Sequence, residues 1–141
     1  MGLFDSIFKN NSMDKVMDVN CNIPNRTFKE RSSLAERKAD SFAIRLKFPD
    51  KVPIIVERYK DEKTLPIIDK VKFLVPSELT LSQFAAIVKS RLSLNSTETF
   101  YLFTNSSTVP SLSMTVLDMD EKFKDIDGFL YLTYTSQEVF G

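Results

Sequence analysis

The residue with the plainest chemical potential is the last one, Gly141, separated by six residues from the apolar run Gly128–Tyr134. A terminal glycine has no side chain, so a narrow active site can close around its carboxylate, activate it as an acyl donor and pass it to an amine. The bland alternative is an arbitrary or frayed chain end. Other reactive residue types are sparse. The one cysteine, Cys21, cannot form an internal disulfide, and there is no histidine. With the usual acid–base residue and the commonest metal ligand missing, a metal site or a Cys-His nucleophile is not expected. Asp118, Asp120 and Glu121 lie near one another, but on a short charged helix they are expected to be solvated surface. The chain reads as a non-enzyme with no catalytic residue, no metal and no cofactor.

A second kind of chemistry is recognition by charge. Net charge is zero, yet residues 26–72 carry 13 Lys or Arg against 8 acids, whereas residues 73–141 carry 4 against 8. The basic half suits acidic peptides or anionic headgroups, with ordinary solvated helix faces as the alternative. Nucleic acid is not an expected partner, because acids interleave the basic residues and no helix-turn-helix, zinc knuckle or RNP-type motif accompanies them. Lys70 and Lys72 alternate with Val71 and Phe73. On a strand they point one way, which blunts an exposed edge and offers a basic rail.

The elements that must carry these residues fit one domain, since 141 residues at 43% hydrophobic build a single core. No apolar run reaches the ~20 residues that span a bilayer. With no secretory signal pattern either, the expected location is cytoplasmic. Residues 1–25 are Asn-rich and polar after a short apolar start, which predicts a flexible arm; residues 26–141 form the domain. Thr27 and Glu30 have capping-box spacing for a short helix. A longer helix is expected from Ala35, Ala39, Phe42, Ala43 and Leu46, which recur at helical spacing, ended by Pro49-Asp50. Val52–Tyr59 is the first strand, Lys60–Lys63 a charged turn, and Lys70–Pro76 the second strand. A helix capped by Thr80 and Gln83 follows, with Phe84, Ile87, Val88 and Leu92 as its apolar stripe. Phe100–Thr104 is the third strand, Leu117–Phe123 a short helix, and Gly128–Thr135 a fourth strand, apolar on both faces and so central. The order predicts an α+β fold.

From about Thr27 onward the chain resembles the ubiquitin-like autophagy modifiers, the GABARAP and microtubule-associated protein light chain three family. The likeness is carried by Phe28-Lys29-Glu30-Arg31, Pro53–Tyr59, Leu65-Pro66 with Asp69-Lys70, Lys72–Pro76, and Asp127–Tyr131 leading to Ser136–Gly141. Glu57-Arg58-Tyr59-Lys60 and Ser136-Gln137-Glu138 are nearer the light-chain branch. The resemblance implies a ubiquitin-like β-grasp with two additional N-terminal helices, its first and last strands adjacent at the centre. It also implies that a processing cysteine protease exposes Gly141, that activating and conjugating enzymes take it as a thioester, and that it ends as an amide on phosphatidylethanolamine of the autophagosome membrane. A second implied activity is docking of cargo receptors through aromatic-x-x-aliphatic peptides added to a sheet edge.

Carried over position by position, the aromatic pocket is Asp40, Ile44, Pro53, Ile55, Lys72, Leu74 and Phe129. The aliphatic pocket is Phe73, Val75, Pro76, Phe84, Ile87, Val88 and Arg91. The edge is Lys70–Val75, with Lys51, Lys70, Lys72 and Arg91 toward acidic flanks. Without the family, most of the apolar positions read simply as core. Two departures from the light-chain pattern, Arg31-Ser32 and Lys89-Ser90-Arg91, lead to an expectation of weak microtubule contact. The alternative function is a ubiquitin-like peptide-binding module, or a cytoskeletal light-chain subunit, that is never conjugated.

The arm admits several readings. Met1-Gly2-x-x-x-Ser6 fits N-myristoylation; Leu3, Phe4, Ile7 and Phe8 fit one face of a short lipid-touching turn. Phe4-Asp5-Ser6-Ile7 is itself an aromatic-x-x-aliphatic motif, so Phe4 and Ile7 are candidates for self-docking. Met13 is a second candidate start, which would make residues 1–12 a fused peptide. A plain disordered tail is the remaining reading.

Overall fold

The computed structural model describes residues 26–106 and 108–136. Eight elements follow in order: α1 (Phe28–Arg31), α2 (Leu34–Lys47), β1 (Lys51–Arg58), β2 (Lys72–Pro76), α3 (Leu81–Arg91), β3 (Tyr101–Thr104), α4 (Val116–Phe123) and β4 (Leu130–Thr135). Three helix starts close reciprocal capping boxes, in which a hydroxyl accepts from the third-residue N–H and that residue's side chain accepts from the cap N–H. Thr27 pairs so with Glu30, Ser33 with Glu36 and Thr80 with Gln83. The first and third are expected from the sequence; the Ser33 box is additional.

The sheet order is β2-β1-β4-β3. β1 and β4 run parallel, Ile54 opposite Leu130, while β2 and β3 pair antiparallel on either side. The first and last strands are thus central, as the β-grasp expectation requires. Alternation along β1 and β4 sorts the core onto two faces. Ile54, Val56, Leu130, Leu132 and Tyr134 face α3 and α4, meeting Phe84, Val88, Val116 and Met119. Ile55, Phe129 and Tyr131 face the other way and pack with Phe28 of α1 and Ile44 of α2.

The second helix corrects the sequence reading. Its apolar stripe, Ala35, Ala39, Phe42, Ala43 and Leu46, is exposed, and the face turned to the sheet carries Arg37, Ser41 and Ile44. The cause is a polar network. Arg37 Nε donates to Asp127 Oδ2 at 2.8 Å, its Nη1 donates to the Lys29 and Ser32 carbonyls, and Ser41 Oγ donates to the Asp127 carbonyl. Fully satisfied polar groups can occupy a buried face at little cost, whereas unsatisfied ones cannot.

The same helix corrects the reading of Asp120. Asp118 and Glu121 are exposed, but Asp120 is buried and receives Arg45 bidentately at 2.8 and 2.9 Å. Strand boundaries shift slightly; Lys70 precedes β2 rather than lying in it, although the Val71 carbonyl still accepts from Val56 N–H at 2.8 Å. The charged turn after β1 contains one buried member, Glu62.

Candidate functional site

β2 has β1 on one side and, among the described residues, no strand on the other. That free edge is where an extended peptide can add main-chain hydrogen bonds. Alternation along β2 gives the edge two different flanks. Phe73 and Val75 are buried in the α3 layer, where Phe73 meets Phe84 edge-to-face at 5.5 Å, and Val88 belongs to the same cluster. Leu74 is half-buried on the opposite face, packed on the cluster of Phe28, Ile44, Ile55, Phe129 and Tyr131. Pro53 is buried across from Leu74, and Lys72 lies across from Ile55.

Lys72 spans the α2 flank. Its Nζ is 3.2 Å from Asp40 Oδ2 and 5.3 Å from the Phe28 ring centroid, an ion pair with a cation–π contact beneath it. Asp40 is the more exposed partner, so an acidic ligand can replace it as the acceptor. On the α3 flank, Ile87 is 44% exposed and Arg91 is exposed, its Nη2 3.4 Å from Asp69 Oδ1. Pro76 closes β2 opposite Lys51 at the start of β1. Lys51 and Lys70 are half-buried beside this edge.

The sixteen positions carried over from the resemblance therefore fall into distinct settings. Ile44, Ile55 and Phe129 form one buried cluster; Phe73, Val75, Phe84 and Val88 lie in the other. Asp40, Lys51, Lys70, Lys72, Leu74, Pro76, Ile87 and Arg91 keep surface that a ligand can reach. Phe28 and Tyr131 line the first cluster without having been predicted as site residues; their edge-to-face packing around Phe129, Phe28 at 5.3 Å, is the missed signal.

Asp127 holds the floor of this flank in place. It accepts from Arg37, from the Phe129 N–H at 2.9 Å and from the Tyr131 hydroxyl at 2.5 Å. Burial, and then that hydrogen bond to Asp127, push the Tyr131 phenol far above its ordinary range, while Asp127 raises Arg37 further. Gly128 is required here: its φ is +93°, and a Cβ would stand 2.2 Å from Ser41 Oγ.

At the other end of β4, Glu62 anchors the start of the C-terminal segment. Its Oε1 accepts from the Ser136 N–H at 2.6 Å and Thr135 Oγ1 at 2.9 Å; its Oε2 accepts from the Thr64 and Leu65 N–H groups at 2.9 and 2.7 Å. Burial alone would raise this carboxyl, but the Ser136 and Leu65 N–H groups and the Thr64 and Ser136 hydroxyls outweigh it and hold it well below the usual carboxylate range. Nothing in the spacing of Glu62 marks it for this role. Gly141, Phe4, Ile7, Gly2 and Cys21 lie outside the described residues.

Comparison with known proteins places this geometry in context. The family model for the autophagy protein Atg8, ubiquitin-like, matches residues 36–141. Microtubule-associated protein 1 light chain 3 gamma of Homo sapiens is 52% identical over 116 residues, 82% of this chain and 79% of that protein. Protein lgg-2 of Caenorhabditis elegans is 42% identical over 115 residues, 82% of this chain and 88% of that protein. Autophagy-related protein 8c of Arabidopsis thaliana is 40% identical over 117 residues, 83% of this chain and 97% of that protein. The higher identity to the light-chain protein agrees with the branch read from Glu57–Lys60 and Ser136–Glu138.

Proposed function

Because the chain belongs to the Atg8 family of ubiquitin-like autophagy proteins, whose members are modifiers rather than enzymes, we propose that it acts by two linked activities. Gly141 is the acyl donor, exposed by a cysteine protease, carried by activating and conjugating enzymes and joined to phosphatidylethanolamine. The β2 edge then recruits cargo receptors bearing aromatic-x-x-aliphatic motifs. The protein is cytoplasmic before this reaction and on the autophagosome membrane after it. Contact with microtubules is weak, since Ser32 and Ser90 stand where the light-chain pattern is basic.

The observation that carries the reading is the free edge of β2 with a buried aromatic cluster on one flank and the Phe73, Phe84 and Val88 cluster on the other. Main-chain bonds along the edge supply affinity, and the two flanks separate an aromatic from an aliphatic anchor three residues apart. Lys72 and Asp40 supply an exchangeable ion pair at the aromatic flank. The root of the tail is fixed by Glu62 on Ser136, five residues before the reacting glycine.

Incubation with activating and conjugating enzymes, ATP and vesicles containing phosphatidylethanolamine tests the first activity. The expected result is a lipid adduct that Gly141→Ala abolishes. Absence of adduct from the unmutated chain, with peptide binding retained, would favour a ubiquitin-like module or cytoskeletal light chain that is never conjugated.

A further inference from the structure

The outward face of α2 has no counterpart in the activities above. Ala35, Ala39, Phe42, Ala43 and Leu46 are all exposed, Phe42 at 65% and Leu46 at 68%. At 3.6 residues per turn they lie on the side of the helix opposite Arg37, Ser41 and Ile44, which are buried against the sheet. An amphipathic helix normally turns its apolar stripe inward. Here the Arg37–Asp127 network occupies the inner face, and the stripe is left outward, bordered by exposed Lys38 and Lys47.

We infer that this stripe is the docking surface for the chain's own N-terminal segment, residues 3–8. Three observations select this occupant. First, the patch is small: Ala35 to Leu46 covers about 17 Å of one helix. At about 10 Å across, the strip offers on the order of 170 Å², well under the ~800 Å² per partner of a stable dimer interface but enough for a short segment carrying large apolar side chains. Leu3, Phe4, Ile7 and Phe8 supply these, at a spacing that would put them on one side of a helical turn. Second, the tether is long enough. Chain outside the described residues runs up to Arg26, beside α1, whose Phe28 packs with Ile44 on the inner face of α2, so the segment has to cross the width of that helix, ~10 Å, to meet the stripe. The residues between Phe8 and Arg26 reach up to about 60 Å when extended. A tether of this kind gives an effective concentration on the order of mM, so a modest contact suffices. Third, charge is compatible: Asp5 sits among the apolar residues of the segment, and the stripe is bordered by exposed Lys38 and Lys47 together with Glu36, whose carboxylate is engaged at the Ser33 cap.

Docking on α2 leaves the β2 edge open. This differs from self-docking of Phe4 and Ile7 in the peptide groove, which would compete with every incoming peptide. The α2 site instead shields an apolar face without lowering groove affinity.

A nitroxide on Ser6→Cys, in the full chain carrying Cys21→Ser, distinguishes these arrangements by paramagnetic loss of amide NMR signals. The expected result is loss across residues 39–47 that is restored in Phe42→Glu/Leu46→Glu. Both positions are exposed, so unchanged β-sheet amide shifts verify that this variant is folded. Loss concentrated on residues 72–76 would overturn the inference and assign the segment to the groove. Uniform or absent loss would overturn it in favour of an undocked arm. Loss in a mixture of spin-labelled and isotope-labelled chains would overturn it in favour of contact between two copies.

Discussion

Replacing Glu62 by glutamine removes one acceptor oxygen from a site built entirely of donors. Three of those donors are backbone N–H groups, from Thr64, Leu65 and Ser136. The hydroxyls of Thr64, Thr135 and Ser136 can rotate and accept from the new amide NH₂; the backbone groups cannot. The amide will turn its oxygen toward Thr64 and Leu65, leaving the Ser136 N–H facing an NH₂. One stranded donor costs about 1–3 kcal/mol, and loss of charge assistance from the surviving bonds lies within the same range. The expected destabilisation is therefore about 2 kcal/mol, a fall of roughly 10 °C in Tm for a domain of this size. Glu62→Ala strands all three and should cost about 3–4 kcal/mol.

The pH dependence supplies a second readout. The folded carboxyl is depressed below its unfolded value, so its stabilisation is complete above the unfolded pKa near 4.5 and is lost as pH falls from there toward the lower folded value. The unmutated protein should lose stability steeply below about pH 4.5, and Glu62→Gln should flatten that limb. Urea unfolding followed by circular dichroism at neutral and acid pH measures both effects. A neutral-pH difference below about 0.5 kcal/mol, the scatter of ordinary surface changes, or parallel acid limbs for the two proteins, would refute the assignment of Glu62 as the anchor of Ser136.

Other outcomes follow from the groove and its supports. Asp127→Asn leaves the buried Arg37 guanidinium without its carboxylate and should cost about 3–5 kcal/mol in urea unfolding, the usual range for a broken buried pair. Gly128→Ala combines a left-handed φ with a clash against Ser41; pairing it with Ser41→Ala should remove the 2.2 Å contact with Oγ but keep the 3.0 Å contact with Cβ, so the double variant should recover part of the loss and retain at least the ~1–2 kcal/mol of the left-handed φ. In a spectrophotometric titration of the four tyrosines, Tyr131 and Tyr134 should ionise above the ordinary phenol range. Because the folded value of Tyr131 is raised, its contribution is complete below pH ~10 and disappears as pH rises further, a loss that Tyr131→Phe should remove from the alkaline limb. Leu74→Ala should weaken an acidic aromatic-x-x-aliphatic peptide about tenfold by calorimetry while leaving the fold intact, since Leu74 is only half-buried.

The order of elements along the chain and the helix caps at Thr27 and Thr80 were readable because each rests on local signals: β-branched runs ended by proline, and a hydroxyl three residues before Glu or Gln. The centrality of β4 was readable from its two apolar faces. The orientation of α2 was not. Periodicity finds an apolar stripe but not which way it points, and here a polar triad, Arg37, Ser41 and Asp127, claims the inner face through partners up to 90 residues apart. Glu62 and Asp120 were missed for a related reason: Thr135 of β4 and Ser136 just beyond it donate to Glu62, and Arg45 of α2 donates to Asp120. In the groove, Ile55, Phe73 and Phe129 were legible as apolar core positions. Their division between two flanks depends on which face of β1 and β2 each occupies, and only the register settles that.

The parallel pairing of β1 with β4 also governs when the molecule can exist at all. Ile54 and Leu130 are 76 residues apart, so joining them costs about 4 kcal/mol of loop entropy before the central contact contributes anything. On a growing chain, the hairpin of β1 and β2 lacks its inner neighbour until Leu130–Thr135 have been synthesised, and topology of this kind folds slowly. The strand that completes the sheet is also the strand that leads into the segment after Ser136. Any enzyme that reads that segment together with the folded surface therefore acts only after β4 has joined the sheet.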